Sequence, residues 1–597
     1  MKGIIKALGL VFGDIGTSPI YTVTVVFLIL EPTAQNIIGV LSLIFWTLIF
    51  LPTIQYNLLA MSLSIRGEGG TIVLAEIFKS LLKSVKSKTV VAFLSFVGVS
   101  LLMGDGVITP AISILSAVEG SALIPGLEGI SQTIIVLISI IIAILLFSFQ
   151  KKGTEKVAFT FGPIMVIWFS SLFILGINFI LKNPVVLKAV NPAYGIEFLL
   201  SSGWKGYLIL GEIILCATGS EAMYADMGHL GSRPIREAWI LVFIALTTNY
   251  LGQGAFLLSH PEAKNILFEM ALSVMPSLYV PFLLLSISAT IIASQAMISG
   301  MFSIVYQAIT TRIMPVFKID YTSTELRSQI YIGSVNWFLL LAVIFIMVEF
   351  GQSSRLASAY GLAVTGDMTI TGLAMICIFM LKKKYPLALL ALIVTFIDIT
   401  YFSSTLHKIP HGGYWSIVLA FFPLTMIILF TEGQKRLYRV MDFMPRDEFI
   451  LKFERFYRTN PKIPGTALFL VKDASEIPPY IVETMFFHGI IYEENIFLSI
   501  VRRPDPFGVT GYFKEDPCSG IRVFEIQMGY MEVINVEEIL RENGIEERAI
   551  FYGLEDISAR GIVWKAFSML KRITPTFISF FQLPPKKLHG VLTRIEM

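Results

Sequence analysis

Charge is scarce in this chain. Of its 597 residues only 15% are Asp, Glu, Lys or Arg, while 55% are hydrophobic. The mean hydropathy of +0.74 excludes an ordinary soluble globular protein. Cysteine is nearly absent: Cys216, Cys377 and Cys518 show no metal spacing, and two fall in apolar segments, so a disulfide framework is not expected. A net charge of +3 gives no basic excess for nucleic acid. No Walker-type glycine loop, zinc pattern or Thr-Val-Gly-Tyr-Gly filter occurs, and Ala359-Tyr360-Gly361 is a poor imitation of the last, against a tetrameric channel. His407 and His411 are four apart, but Pro410 intervenes and the glutamate of a zincin is missing. Without a nucleophile, base or metal constellation, an enzyme is the reading least supported, and no cofactor is expected.

Long apolar runs are what the chain has instead. About twelve reach 17 residues or more, enough for a hydrocarbon layer of roughly 30 Å. The first lacks a small-residue cleavage site and is followed by comparable spans, so it is not expected to be a cleaved signal. With the N-terminus cytoplasmic, inside loops carry about 18 Lys and Arg against about 6 outside. The expectation is a multi-pass plasma-membrane protein with both termini cytoplasmic, residues 1–431 forming the membrane domain. Residues 432–597 are charged and contain strand-like runs at 467–471, 496–501 and 523–527, alternating with helix-like patterns near 478–488, 536–543 and 562–571. They predict a cytosolic α/β domain suited to regulation or dimerisation.

The first apolar segment, about Ala7 to Leu30, is interrupted by Gly13-Asp14-Ile15-Gly16-Thr17-Ser18-Pro19. Non-helical backbone at membrane depth survives only in a cavity or buried in protein, and a broken helix around an acid is how many secondary transporters build a cation site. Ser18 and Pro19 read as a helix start, with Ser18 as cap and a half-helix running outward. The half ending near Gly13 would aim carbonyls at the same spot, Asp14 would add charge and Tyr21 a hydroxyl. A proline kink made only for packing explains Pro19 and the glycines but not Asp14. The sixth span repeats the anomaly in Ala217-Thr218-Gly219-Ser220-Glu221. Interruptions in spans one and six point to a five-plus-five inverted repeat with a site between them.

In the third span Asp105, Thr109 and Ser113 are spaced i, i+4, i+8, which lines three oxygen-bearing side chains along one face. Such a face suits a large, hard cation, and Pro110 would free the Gly106 carbonyl. Thr109 and Ser113 fit equally well as hydroxyls bonded back to their own helix. A centred Asp costs roughly 2.5–3.5 kcal/mol on insertion scales, so each buried acid asks for a function. Asp14, Asp105 and Glu221 in one cavity would repel too strongly to stay ionised together around one or two monovalent cations, so at least one is expected to hold a proton. Glu221 is the first candidate. Glu349, Asp367 and Asp398 read as structural or interfacial acids, and the loop Arg66-Gly67-Glu68-Gly69-Gly70 fits a gate or a solvated turn.

Several stretches resemble the KUP (KUP/HAK/KT) family of potassium uptake permeases: Phe12 to Thr22, Gly104 to Gly120, Tyr224 to Gly231, Asn249 to Ala255, Ala293 to Gly300 and Ala359 to Gly366, in that order. Ile463 to Leu470 and Phe581-Gln582-Leu583-Pro584 extend the resemblance into the tail. It implies a mainly α, LeuT-like (amino acid–polyamine–organocation) transporter fold, and K⁺ uptake by H⁺ symport. Carried over by motif, the ion site would comprise Asp14, Tyr21, Asp105, Thr109, Ser113, Thr218, Glu221 and Tyr360. The resemblance alone also implies a homodimer through the tail and, weakly, inhibition by a cyclic dinucleotide. Asp367 stands where the family pattern suggests an uncharged residue such as Thr.

Two other readings compete. An amino acid or polyamine permease of the same fold would offer half-helix N-termini to a carboxylate or a roomy cavity to an amine. The acid-rich pattern suits a bare cation better. A potassium sensor with little turnover would differ only in flux.

Overall fold

The computed structural model describes residues 2–65, 67–127, 129–152, 155–321, 330–472, 475–503, 507–529, 532, 534–574 and 583–597. Arg66 and Arg327, counted in the charge bias, and Phe581 and Gln582 of the closing motif lie outside them. The chain divides into two compact units, one of residues 1–304 with 320–424, the other of 305–319 with 425–597.

The first unit is helical. Eleven helices among the described residues are long and apolar enough to cross a membrane, and a bent pair, Gly3–Leu10 with Gly13–Ile29, makes a twelfth. In chain order the spans are this pair, Ala34–Ser62, Val85–Leu123, Gln132–Phe149, Thr160–Lys182, Pro192–Ala225, Ser232–Ser259, Pro276–Thr310, Gly333–Phe350, Ser353–Leu381, Tyr385–Leu406 and Tyr414–Val440. Their burial is that of a molecule dissolved in lipid. Leu137, Ile141 and Leu145, four residues apart on the fourth span, are exposed, while Asp14, Asp105, Thr109 and Glu221 are buried. Lipid tails are as apolar as leucine, so helices associate through close backbone packing and internal polar contacts. Gly176 of the fifth span and Gly252 of the seventh are one such contact: a Cβ on Gly252 would sit 2.4 Å from the Gly176 Cα.

Four spans depart from regular α-helix, and the sequence marks only two of them. The first bends by 70° between Leu10 and Gly13. The second becomes π-helical over Ile49–Leu59, around Pro52, whose missing N–H breaks the regular ladder. The sixth opens at Thr218-Gly219, and the tenth at Tyr360-Gly361 between Ser353–Ala359 and Leu362–Leu381. The third, despite Pro110, is one helix over Val85–Glu119. Of the late acids, read as structural or interfacial, Asp367 and Asp398 are 3% and 1% exposed, inside the bundle, which removes the interfacial alternative for both. Acids packed among helices carry the same local sequence signal as acids at a span's end, so their depth depends on tertiary packing.

The second unit is built on a six-stranded sheet: β1 (Ile463–Val471), β2 (Tyr492–Arg503), β3 (Val509–Cys518), β4 (Ile521–Gly529), β5 (Glu547–Ser558) and β6 (Leu588–Glu596). Their order is β6-β5-β1-β2-β4-β3, parallel throughout except for the antiparallel β3–β4 hairpin at one edge. One face packs Phe449, Phe453, Phe469, Phe497 and Phe551, the other Leu468, Leu498, Phe524, Ile526 and Leu540, as a parallel sheet requires. Helices follow the predicted 536–543 and 562–571 patterns at Val536–Glu542 and Ile562–Ile573.

The Gly176–Gly252 contact leaves no room for a side chain. Gly252→Val should cost on the order of 1–3 kcal/mol or more through forced separation of the two backbones. The check is a lower apparent Tm of the detergent-solubilised protein; an unchanged Tm would show that the helices can part freely.

Candidate ion site at the broken spans

The first break differs from its predicted form, and the reason is chemical. Ser18 caps nothing. It opens a 3-10 turn, Ser18–Ile20, and its hydroxyl meets Thr218 Oγ1 of the sixth span at 3.1 Å and Tyr21 Oη at 3.4 Å. Thr218 donates its single proton to the Leu215 carbonyl, 3.0 Å away. Ser18 is then the donor to Thr218, and Tyr21 the donor to Ser18. The bend lies earlier, before Gly13, so Asp14 falls in the first turn of the short Gly13–Thr17 helix, where the backbone dipole favours a carboxylate.

Nor are the carbonyls of this break generally free for an ion. Trp168 Nε1 of the fifth span donates to Gly16 O at 2.8 Å, and Gln253 Nε2 of the seventh to Pro19 O at 2.9 Å. Gln253 also donates to Asn249 Oδ1, and Asn249 to the Leu172 carbonyl. The irregular backbone is satisfied by buried side chains, as a bilayer demands. Sequence reasoning missed both caps. The only signal was a Trp and an Asn–Gln pair spaced by four in otherwise apolar spans.

At the sixth-span break Gly219 has φ +81°, and a Cβ there would lie 2.8 Å from Asp14 Cβ and Oδ2. Glycine therefore serves both the left-handed turn and the close approach of the two breaks. Asp14 and Glu221 each bury both carboxylate oxygens without a hydrogen-bond partner among the described residues. Thr109 Oγ1 donates to Asp105 Oδ2 at 3.1 Å and lies 2.9 Å from Tyr360 Oη, at the tenth-span break. Its hydroxyl is thus turned to side chains of the site and not back onto its own helix backbone. Ser113, one turn on, leaves its buried Oγ without a partner among the described residues. Asp105 is near enough to Asp14 and Glu221 for their charges to repel, and the Tyr360 hydroxyl is within electrostatic reach of all three acids. The structure thus brings Asp14 against Gly219, links Tyr21 to Thr218 through Ser18, and ties Asp105, Thr109 and Tyr360 together beside them.

Two neighbouring groups of polar residues were not read as site elements. Gln55 Nε2 of the π-helical segment donates to Asp398 Oδ2 at 2.8 Å and to Met368 O, which pairs one late acid. Tyr56, beside Gln55, is within electrostatic reach of Asp367, Glu221 and Asp398. Lys408 Nζ donates to Glu212 Oε2 at 2.8 Å and to Ala357 O at 3.1 Å, linking the first half of the sixth span to the segment just before Tyr360. Ser416 donates to the Ala359 carbonyl in the same place.

The loop before the helix Thr71–Leu81 is no solvated turn. Tyr224 donates to Leu63 O at 2.7 Å, Gly69 lies against the Tyr224 carbonyl, and the buried Glu68 carboxylate packs on Gly228. Burial pushes Glu68 up to about 7. Burial, and then the charge of Glu68, push Asp226 up to about 7.

The membrane and tail regions match two known patterns. Residues 1–435 match the K⁺ potassium transporter integral membrane domain, and residues 464–597 the K⁺ potassium transporter C-terminal domain. A probable potassium transport system protein Kup of Methanosarcina acetivorans is 58% identical over 596 residues, covering 100% of this chain and 99% of that one. Another, from Trichlorobacter lovleyi, is 56% identical over 595 residues, covering 100% and 98%. A manganese transporter structure from Eremococcus coleocola aligns with 72% of this chain and 94% of its own at 10% identity and a TM-score of 0.35, too distant to bear on the site.

Two outcomes follow from this geometry. Breaking a buried ion pair by removing one partner costs roughly 3–5 kcal/mol, whereas replacing both by apolar residues is often neutral. Lys408→Met should therefore destabilise the protein markedly and Lys408→Met with Glu212→Leu much less, as read by thermal unfolding of the single and double variants. For the loop, both raised carboxyls are protonated and compatible below about pH 7, and as pH rises through that value both ionise and repel, so the stability they lend the contact is lost. Amide exchange at Gly67 to Gly70, corrected for base catalysis, should accelerate between about pH 6 and about pH 8. Glu68→Gln should flatten the profile; an identical profile would detach the loop from these acids.

Proposed function

This chain belongs to the potassium transporter family, and we propose that it takes up K⁺ by symport with H⁺ through alternating access at the broken spans. The observation that carries the reading is the pair Asp14 and Glu221, four carboxylate oxygens buried without hydrogen-bond partners among the described residues where two breaks meet. A desolvated K⁺ needs several oxygens, and Asp14, Tyr21, Asp105, Thr109, Ser113, Thr218 and Tyr360 offer carboxylate and hydroxyl ligands of the kind a monovalent cation accepts. Three acids that repel one another suit a site that exchanges a proton as the cation comes and goes. Glu221 is the favoured proton carrier: it lies two residues after the left-handed Gly219, in the first turn of the helix that starts there, so movement of the sixth-span halves would move its carboxyl.

The energetics favour coupling. Membrane potential supplies roughly 2.3 kcal/mol per charge per 100 mV, and each co-transported proton adds a comparable term where external K⁺ is scarce. The excess of Lys and Arg on alternate loops supports a plasma-membrane protein with both termini in the cytoplasm. On that orientation the Glu68 loop lies on the inner side, where ions are released.

Purified protein in proteoliposomes with an internal pH dye, at zero membrane potential, tests the reading. An inward K⁺ gradient should acidify the lumen. Rb⁺ tracer entry with no pH change would overturn the symport and leave a uniporter. Asp14→Asn should abolish concentrative uptake at normal expression, and Glu221→Gln should stop or uncouple the proton flux. K⁺-driven acidification unaltered in Glu221→Gln would remove that residue as proton carrier.

A further inference from the structure

The helix Ile562–Ile573 lies one side against the last turns of the twelfth span, wholly within the second unit. Phe567 is fully buried and packs on Gly433, where a Cβ would sit 2.2 Å from its ring. Arg436 stacks on Trp564 at 4.4 Å, and Ser568 Oγ donates to the Ile557 carbonyl of β5 at 2.9 Å. Phe430, Leu437, Ile557, Phe567, Ile595 and Met597 form the core of this contact.

That contact fixes a level. From Tyr414 to Thr431 the twelfth span carries no charged residue, about the length that crosses a hydrocarbon layer. Glu432 is the first charge, and Lys435, Arg436 and Arg439 follow. The helix therefore grips the twelfth span where that span leaves the bilayer.

Its other side is apolar and uncovered. Ile562, Met569 and Ile573 are 90%, 63% and 69% exposed, and their spacing of seven and four places them on one face with Ala566 between. Lys565 and Arg572 border the stripe on one edge and Val563 on the other; Arg572 reaches Asp556 at 3.4 Å and Lys571 reaches Glu555 at 3.0 Å. An apolar stripe with a basic border is the pattern of helices that lie in a bilayer surface. A second copy docked on the same face would bring its own Lys565 and Arg572 toward these, which disfavours that occupant.

We propose that Ile562–Ile573 is an interfacial helix, with Ile562, Met569 and Ile573 among the acyl chains and Lys565 and Arg572 at anionic headgroups. It would hold the C-terminal unit to the bilayer beside the twelfth span, so that lipid composition acts on the whole unit.

The test uses full-length protein, with Cys216, Cys377 and Cys518 replaced, in nanodiscs of phosphatidylcholine and phosphatidylglycerol. Nitroxides are placed singly at Ile562→Cys and Met569→Cys, with Glu542→Cys as an exposed control on another helix. Oxygen, which partitions into lipid, should collide with the labels at 562 and 569 more often than a water-soluble nickel chelate, and the order should reverse at 542. Discs of phosphatidylcholine alone should shift 562 and 569 toward the chelate. Chelate collisions dominating at both positions in the mixed discs would overturn the proposal. So would shielding from both reagents with spin–spin broadening that disappears on dilution with unlabelled protein, since a second copy would then occupy the face. An unchanged profile without phosphatidylglycerol would overturn the headgroup assignment.

Discussion

An unpaired charge or an unbonded peptide group inside a bilayer has no water to fall back on, and the cost is several kcal/mol for each. Much of the membrane unit can be understood as a response to that demand. Where the first span breaks, Trp168 and Gln253 arrive from two other spans to take the Gly16 and Pro19 carbonyls. Where Glu212 is buried, Lys408 is buried with it. Where the second span turns π-helical, Gln55 is brought against Asp398.

Against that background the acids separate by whether the protein pairs them. Glu212 has a cation. Asp398 has an amide on one oxygen. Asp105 has the Thr109 hydroxyl. Asp14 and Glu221 have no hydrogen-bond partner among the described residues, on either oxygen of either group. Of these acids, only these two leave both oxygens without a partner among the described residues. That contrast, more than the number of acids, is why the meeting of the two breaks is the place to seek the transported ion.

Much of this was legible in the residues. Length and apolarity mark twelve spans because the hydrocarbon thickness sets a minimum run, and Gly-Asp and Gly-Ser-Glu at membrane depth mark two breaks because lipid tolerates neither glycine-rich backbone nor carboxylates without cause. The strands at 467–471, 496–501 and 523–527 declare themselves as apolar runs because a parallel sheet buries both faces. The position of the first bend was not legible. Ser18-Pro19 is a sound local start signal, but Ser18 spends its hydroxyl on Thr218, two hundred residues away, and only tertiary contact reveals that. The tenth-span break was also hidden, since Tyr360-Gly361 resembles an ordinary turn until Tyr360 is seen to reach Thr109. Whether Asp367 and Asp398 are structural or interfacial stays open in the sequence for the same reason: depth within a bundle is a property of neighbours.

The same accounting bears on how such a site could move. The third span is one helix from Val85 to Glu119, and the broken tenth span meets it at the break through Thr109 and Tyr360 and at its start through Ser353, whose N–H and hydroxyl donate to Glu119. A net contribution of about 0.5–1.5 kcal/mol for each such hydrogen bond means that exchanging one or two is within thermal and ionic reach. Helices broken and already capped by side chains need not lose their backbone bonds in order to tilt. The Lys408–Glu212 pair is different, since separating two buried charges would cost more than an ion's arrival is apt to return. The first half of the sixth span and the segment before Tyr360 should thus travel together, each ending at a break in its helix, Thr218-Gly219 and Tyr360-Gly361.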